Sequence, residues 1–330
     1  MSPLKYNPAV NRRWLLRGAL ASLAGVAIGR AATSLSEEPQ PASPPQAPDP
    51  QNRTRFQIAC MTLPYSQFSL ERALSGIQSA GYRYVAWGTT HKDASGKSVP
   101  VMAEDAPPER AKELARRCRD LGLEPLMMFS NIYPEAPRAM EVLTQRIKQA
   151  SAAGIPQVLT FGHTKGGNRA VWVERFKQLG PIARDHGVLL VVKQHGGETG
   201  TGEACAAITR QVADEGVKVN FDAGNVMDYL DLDPIPDIQK CASEVRSFCI
   251  KDHRNFPKDE DCGPGLGEID HYKLLHPVAF TGRAMPLCCE NIFAPALPRP
   301  DTAEAIDALA RRAREFLELV TSGLQTEPVP

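Results

Sequence analysis

Polar side chains that could bind a substrate or move a proton follow four short apolar segments in the second half of the chain. They are Lys193 and His195, Asp222, Lys251 to Arg254, and Glu290. Each apolar run is short enough to be a buried strand, and each ends in groups that are costly to bury without partners. Four such endings, separated by helical stretches, predict a parallel barrel whose polar residues converge at the C-terminal rim, where barrel enzymes hold their chemistry.

The alternation of side chains along a strand predicts which of these residues share the interior face. Lys193 and His195 have the same parity as Val191 on one strand, and Lys251 and His253 share the parity of Cys249 on another. The predicted inward set is Lys193, His195, Asp222, Cys249, Lys251, His253 and Glu290.

The elements needed to position this set can be read along the chain as eight β/α units, which predict one (β/α)8 TIM barrel over residues 55–323. The predicted strands are Phe56–Thr62, Tyr82–Gly88, Glu124–Ser130, Gln157–Phe161, Val188–Gln194, Val217–Phe221, Val245–Ile250 and Met285–Cys289. The predicted helices are Ser69–Ala80, a helix from Pro107-Pro108 to Gly122, Pro137–Ala153, Ala170–His186, Gly202–Asp214, a short helix before Ser243, and Thr302–Val320.

The N-terminal region has the composition of an export signal. Residues 1–34 contain the twin-arginine pattern Asn11-Arg12-Arg13-Trp14, followed by an apolar run from Gly18 to Gly29. This run is shorter than the roughly 20 apolar residues of a membrane span. We therefore expect export by the twin-arginine route, a periplasmic location and no stable membrane insertion after cleavage. Residues 35–54 are Pro-rich and predict a disordered linker, and we expect residues 324–330 to form a disordered tail.

Charge and cysteine usage narrow the classes of partner. The formal net charge is zero, and no basic stripe is present, so we expect no nucleic-acid partner. The eight cysteines contain no CxxC pair. Most lie in strand-like or helical runs, where a thiol acts as a small apolar residue. In an oxidising compartment, a pair such as Cys205 and Cys241 could form a disulfide.

Several segments, in this order and spacing, resemble the xylose-isomerase-like sugar isomerase/epimerase superfamily, which is built on a (β/α)8 barrel. They are Gly81-Tyr-Arg-Tyr-Val85, Lys193-Gln-His-Gly-Gly197, Asp222-Ala-Gly-Asn225, Lys251-Asp-His-Arg254 and Gly265-Leu-Gly-Glu-Ile-Asp270. The resemblance covers residues 55–323. It implies a divalent metal held by a Glu after strand five, an Asp after strand six, a His on strand seven and a Glu after strand eight.

Two of these four positions match the family pattern and two depart from it. Asp222 and Glu290 match, whereas Lys193 replaces the Glu and Cys249 replaces the His. Two arrangements then balance the charge. In one, His195, Asp222, His253 and Glu290 hold a divalent ion such as Zn, Mn, Co or Fe. In the other, Lys193 and Lys251 replace the ion and pair with Asp222 and Glu290.

The resemblance implies an isomerase, epimerase or related lyase that removes a proton next to the carbonyl of a free sugar or keto-sugar derivative. Lys193 and Glu290 are the candidate acid and base. The predicted substrate-binding residues are His163, Lys251, Arg254 and Glu268. The alternative function is a non-catalytic carbohydrate-binding barrel that has lost the family metal site.

Overall fold

Eight parallel strands of the computed structural model, which describes residues 52–326, close into one barrel. We number them β1 to β8 along the chain. They are Arg55–Met61, Tyr84–Trp87, Glu124–Phe129, Gln157–Phe161, Leu189–Lys193, Val217–Phe221, Val245–Ile250 and Ala284–Cys289. Neighbouring strands pair in chain order, and β1 closes the ring by pairing with β8. The predicted (β/α)8 barrel is therefore confirmed, and β4, β6 and β7 have the predicted bounds.

Nine α-helices of the described residues connect and surround these strands, and we number them α1 to α9. They are Leu70–Ser79, Pro108–Asp120, Ala139–Ala153, Arg169–Asp185, Gly202–Val212, Ala223–Leu230, Pro234–Cys241, His271–Leu275 and Ala303–Leu324. Three short 3-10 turns lie at Leu63–Tyr65, Ala242–Glu244 and His276–Val278. None of the helices within residues 52–326 has the length and apolarity needed to cross a membrane.

Two antiparallel hairpins extend from the ends of barrel strands. Thr90–Lys92 pairs with Ser98–Pro100 after β2, and Asp252–Arg254 pairs with Glu260–Cys262 after β7. We call them hairpin 90–100 and hairpin 252–262. The sequence interpretation predicted neither hairpin, and it missed α6 and α8.

Alternation along the strands divides the core into two apolar layers. In β5, Leu190 and Val192 belong to the layer between barrel and helices, whereas Val191 belongs to the layer inside the barrel. Cys249 and Cys288 also pack inside the barrel. Lys193 therefore extends the inner layer at the C-terminal end of β5, as the parity argument predicts.

Local signals in the sequence set several helix ends. Thr201 and Thr302 accept backbone N–H bonds at the starts of α5 and α9, and Asn168 does the same for α4. Helix α3 ends at Gly154, which adopts a left-handed conformation with φ 70°.

The described residues extend slightly beyond the predicted barrel limits. Thr54 is buried and donates to Val278 O, while Gln325 donates to Thr54 O after the end of α9. The predicted signal peptide, linker residues 35–51 and tail residues 327–330 lie outside the described residues, so export stays a prediction.

Candidate active site

A buried lysine lies between two carboxylates at the C-terminal end of the barrel. Lys193 Nζ is 2.9 Å from Oδ2 of Asp222, and it donates to Oε1 and Oε2 of Glu290 at 2.9 and 2.8 Å. Lys193 is 3% exposed, Asp222 is fully buried, and the Glu290 side chain is 14% exposed. Glu290 is therefore the member of this group that a ligand can reach.

Three strand ends bring this cluster together. Lys193 is the last residue of β5, Asp222 directly follows β6, and Glu290 directly follows β8. Asp222 also begins α6, because its Oδ1 accepts the N–H of Asn225 at 3.0 Å. The N–H of Asp222 itself donates to Gln194 Oε1 at 2.6 Å. The helix cap and this bond fix the carboxylate that faces the lysine.

The charges of the cluster shift one another's pKa values. Burial acts to lower the pKa of Lys193, but Glu290 and Asp222 outweigh it and raise that pKa well above its usual range. Burial raises the pKa of Asp222 to about 6 against the opposing effect of Lys193 and Lys251. Burial also acts to raise the pKa of Glu290, but the two lysines lower it to about 2. At neutral pH the group is an ion triad.

Lys251 provides a second ammonium group beside the triad. It follows β7, is 7% exposed, and donates to Oδ2 of Asp261 on hairpin 252–262 at 2.7 Å. Gly224 of α6 makes room for the lysine stem, since a Cβ there would lie 2.6 Å from Cγ of Lys251. Burial acts to lower the pKa of Lys251, but Asp222 and Glu290 outweigh burial and raise this pKa above its usual range.

Hairpin 252–262 contains His253 and Arg254, the other candidate site residues predicted after strand seven. Both ring nitrogens of His253 lie near oxygen acceptors, with Nδ1 3.0 Å from Asp261 Oδ1 and Nε2 3.1 Å from Asn255 Oδ1. Arg254 pairs with Glu260 on the opposite hairpin strand. His253 and Arg254 therefore stabilise the hairpin in this structure.

Glu268, a predicted substrate ligand, also bonds to this hairpin. Its Oε1 accepts the backbone N–H groups of Asn255 and Phe256 at 3.0 and 3.1 Å. Asp252 anchors the preceding loop by accepting the N–H groups of Gly265 and Ile269. The structure does not bring Glu268 to the Lys193 cluster.

An aromatic wall borders the cluster on the side of β3 and β4. Lys193 Nζ lies 5.7 Å from the ring centre of Phe129 and 6.0 Å from that of Phe161. The wall continues through His195, whose ring centre lies 4.7 Å from Phe161 and 5.3 Å from Tyr229. Sequence reasoning missed Phe161 and Tyr229. The position of Phe161 at a predicted strand end was a usable signal, whereas Tyr229 lies on the unpredicted α6.

The two predicted histidines on this side have different surroundings. His195 Nδ1 lies 2.7 Å from Gly162 O, and because a carbonyl only accepts, Nδ1 carries the hydrogen and Nε2 is an acceptor. Burial lowers the pKa of His195, so its ring is neutral at pH 7. The ring centre of His163 lies 3.7 Å from that of Tyr133, with the two rings tilted by 36°, and the His163 side chain is 42% exposed.

A cleft of about 210 Å³ opens beside Glu290 and Lys251. Ser66 after β1, Asp261 of the hairpin, and Asn291 and Arg299 after β8 also line it. A larger cavity of about 410 Å³ lies at the ends of β2 and β3, bordered by Phe129. None of Lys193, Asp222, Lys251 and Glu290 lines the larger cavity, so we place the reacting centre in the smaller cleft.

Residues 74–313 match the protein family described as xylose isomerase-like TIM barrel. The chain belongs to this family. No curated protein matches the chain. Three solved structures illustrate the shared fold of this xylose isomerase-like barrel.

The first is an L-ribulose 3-epimerase, with 18% identity, a TM-score of 0.63, and coverage of 83% of this chain and 99% of the epimerase. The second is an IOLI protein with a binding zinc atom, with 16% identity, a TM-score of 0.64, and coverage of 81% of this chain and 99% of the IOLI protein. The third is a xylose isomerase-like TIM barrel protein from Mycobacterium smegmatis in complex with magnesium. It has 16% identity, a TM-score of 0.64, and coverage of 84% of this chain and 99% of that protein. At these identities the likeness concerns the fold.

Two of these structures hold a divalent ion, which needs several oxygen, nitrogen or sulfur ligands around one point. Within residues 52–326, one group of possible ligand atoms, from Asp222, Cys249 and Glu290, lies at the C-terminal end of the barrel with all atoms within 4.8 Å of one another. The other such group, Asp228, His253 and Asp259, contains neither barrel carboxylate.

The set predicted from the sequence is not assembled in this structure. Neither His195 nor His253 joins Asp222 and Glu290 in a group of ligand atoms among the described residues. The ammonium of Lys193 already contacts both carboxylates at 2.8–2.9 Å. A divalent ion bound there would need oxygen ligands at about 2.0–2.2 Å and would repel the adjacent ammonium. The residues present therefore do not fit a divalent ion in this arrangement.

Proposed function

We propose that this barrel is a sugar isomerase or epimerase that removes a proton next to the carbonyl of a small, free sugar or keto-sugar derivative. The observation that supports this most directly is that a carboxylate and an ammonium line the same cleft. Glu290 supplies a carboxylate, and Lys251 supplies an ammonium with N–H groups beyond the one bonded to Asp261. A base and a hydrogen-bond donor on the same small space are what enolisation requires.

In the proposed reaction, Glu290 takes the proton from the carbon beside the carbonyl. The electron pair of the broken C–H bond forms a carbon–carbon double bond, and negative charge develops on the carbonyl oxygen. Lys251 donates a hydrogen bond to that oxygen. Return of the proton to the former carbonyl carbon, together with transfer of the hydroxyl proton of the neighbouring carbon to the former carbonyl oxygen, gives an isomer. Delivery of a proton from water to the opposite face of the same carbon, with the first proton lost from Glu290 to solvent, gives an epimer.

Lys193 positions the base and sets its strength. Two of its N–H groups point to the two oxygens of Glu290, which orients the carboxylate and lowers its pKa. A low pKa makes a carboxylate a weak base. A substrate oxygen in the cleft that accepts a hydrogen bond from Lys251 weakens the effect of that ammonium on Glu290, so we expect substrate binding to raise the pKa of the base.

The size and setting of the cleft favour a small, unphosphorylated substrate. At about 210 Å³ it is smaller than the roughly 300–1,000 Å³ of pockets for drug-sized ligands. The twin-arginine pattern at Arg12-Arg13 predicts export to the periplasm, where phosphorylated metabolites are scarce. The similar L-ribulose 3-epimerase, which shares the fold, supports a free sugar as the substrate class.

The test is incorporation of deuterium from heavy water into free aldoses, ketoses and keto-sugar derivatives, followed by NMR. We expect the wild-type chain to label a carbon next to the carbonyl, and Glu290→Gln to slow labelling by on the order of a thousandfold. Labelling that Glu290→Gln leaves unchanged would remove Glu290 as the base. Sugar binding without labelling would favour the non-catalytic carbohydrate-binding alternative.

A further inference from the structure

Three carboxylate oxygens surround the Lys193 ammonium in the way that ligands surround a metal ion. One oxygen of Asp222 and both oxygens of Glu290 lie 2.8–2.9 Å from Nζ. The lysine side chain is almost fully buried, and its stem continues the inner apolar layer of β5. The position of the charge is therefore fixed by packing and by both carboxylates.

A thiol faces the same point. Cys249 of β7 is buried, and its Sγ lies within 4.8 Å of ligand oxygens of Asp222 and Glu290. Its backbone N–H is held by Asn220 Oδ1 at 3.1 Å, which fixes that strand against β6. One thiol and two carboxylates are donors that bind Zn²⁺ and Co²⁺ in proteins. Without the ammonium, these three residues would form an incomplete but recognisable divalent-ion site.

The charge count agrees with an ammonium in that place. Lys193 and Lys251 carry two positive charges against the two negative charges of Asp222 and Glu290, and each lysine interacts with both carboxylates. Asp261, which pairs with Lys251, adds a third negative charge, so a divalent ion added to the group would still leave one excess positive charge beside the buried ammonium of Lys193, which is unfavourable. The nearby imidazole of His253 has no negative charge to offset the excess, and both of its nitrogens lie beside other oxygens.

We infer that the ammonium of Lys193 occupies the position of a divalent cation in this barrel, so that the wild-type site works without a metal and becomes a metal site when the ammonium is removed. The inference concerns the same site as the proposed function but does not depend on which reaction occurs there. Its test measures metal binding and needs no substrate.

The experiment compares the full-length wild-type chain with Lys193→Met, both purified without chelator or nickel. Each is equilibrated with Zn²⁺, desalted and analysed for bound metal. Cobalt binding is followed by the thiolate-to-cobalt charge-transfer band. We expect no stoichiometric metal on the wild-type protein. We expect about one equivalent on Lys193→Met, with a charge-transfer band that contributes evidence for Cys249.

The matched control is the double variant Lys193→Met/Cys249→Ala, which should lose the charge-transfer band and bind zinc at least about tenfold more weakly. A folded Lys193→Met protein that binds no metal overturns the inference. Wild-type protein that retains about one equivalent, lost on Asp222→Asn, also overturns it. If Lys193→Met does not fold, the wild-type titrations with Zn²⁺, Co²⁺, Mn²⁺ and Mg²⁺ decide between these outcomes, since a metal-free wild-type site supports it.

Discussion

The ammonium of Lys193 and the carboxylate of Glu290 are 2.8 Å apart, although 97 positions separate the two residues in the chain. Their strands, β5 and β8, are not neighbours in the barrel. The pair therefore joins non-adjacent strands across the barrel interior, and Asp222 of the β6–α6 junction is the third member of the group. A charge network of this kind is sensitive to the loss of any one member.

Lys193→Met should destabilise the fold. In the presence of chelator it leaves the buried Asp222 and Glu290 without the ammonium that contacts both, which costs about 3–5 kcal/mol of unfolding free energy. Chemical denaturation at pH 7 measures this loss. A variant as stable as the wild type at that pH would show that the buried triad does not contribute as described.

The pH dependence of that variant gives a second check. Without the ammonium, we expect burial to outweigh Lys251 and to raise the pKa values of both carboxylates in the folded state above their values in the unfolded chain. The folded state then binds more protons, so stability falls as pH rises through this range. We expect the deficit relative to wild type to be smaller at pH 5 than at pH 8. An equal deficit at both values contradicts the electrostatic explanation.

Apolar strands with polar ends were sufficient to predict the barrel, because a buried parallel strand leaves a short, bounded run of apolar residues. Hairpin 252–262 could not be predicted in this way. Each of its strands has only three residues, and its stability comes from side-chain pairs such as Arg254 with Glu260 and Lys251 with Asp261. Such pairs depend on a chain reversal that leaves no periodic pattern.

The absence of a periodic pattern in chain reversals also limited the prediction of the candidate site. Parity correctly predicted that Lys193 extends the inner face of β5, because alternation continues to the end of a strand. It could not predict the environment of His253, since the chain leaves the barrel direction after β7 and enters the hairpin. Of the two charge arrangements that the sequence left open, the structure contains the pairing of Lys193 with both carboxylates, whereas Lys251 bonds to Asp261.

Gly224→Ala should reduce activity even though alanine is the better helix former. The added Cβ would lie 2.6–2.7 Å from Cγ and Cε of Lys251, so the lysine stem must move. Misplacing a catalytic group by about 1 Å can cost on the order of a hundredfold in rate. We expect a loss of this order in deuterium incorporation.

The matched control is Gly323→Ala in α9, where the added Cβ would meet only Tyr272 at 4.0 Å. This variant should keep the wild-type rate and gain up to about 1 kcal/mol of stability from helix propensity. Equal rates for Gly224→Ala and Gly323→Ala would show that the close contact with Lys251 has no functional importance.

The eight cysteines should not react in the native protein. All lie within residues 52–326 as buried, free thiols, including Cys205 and Cys241, the pair that could form a disulfide in an oxidising compartment. Burial raises the thiol pKa values of Cys60 and Cys249 well above the usual range and that of Cys289 to about 12, so these thiols stay protonated at pH 8.

Titration with Ellman's reagent at pH 8 tests this expectation. Essentially no thiol should react in native buffer, and all eight should react in guanidinium chloride. A rapid native reaction, or fewer than eight thiols after denaturation without reductant, would show an accessible cysteine or a disulfide.

Lys251→Met should abolish most activity while leaving the barrel folded. The change removes the proposed hydrogen-bond donor to the developing oxyanion, which is worth roughly a hundredfold to a thousandfold in rate. The methionine is close in length to the lysine stem and can pack against Gly224.

Lys218→Met is the matched control. Lys218 is equally buried, at 8% side-chain exposure, and it also pairs with carboxylates, but it lies near the start of β6 at the opposite end of the barrel. We expect both variants to lose some stability, but only Lys251→Met to lose deuterium incorporation per folded molecule. If both variants lower the rate equally, the ammonium at the end of β7 acts through the fold and the oxyanion role fails.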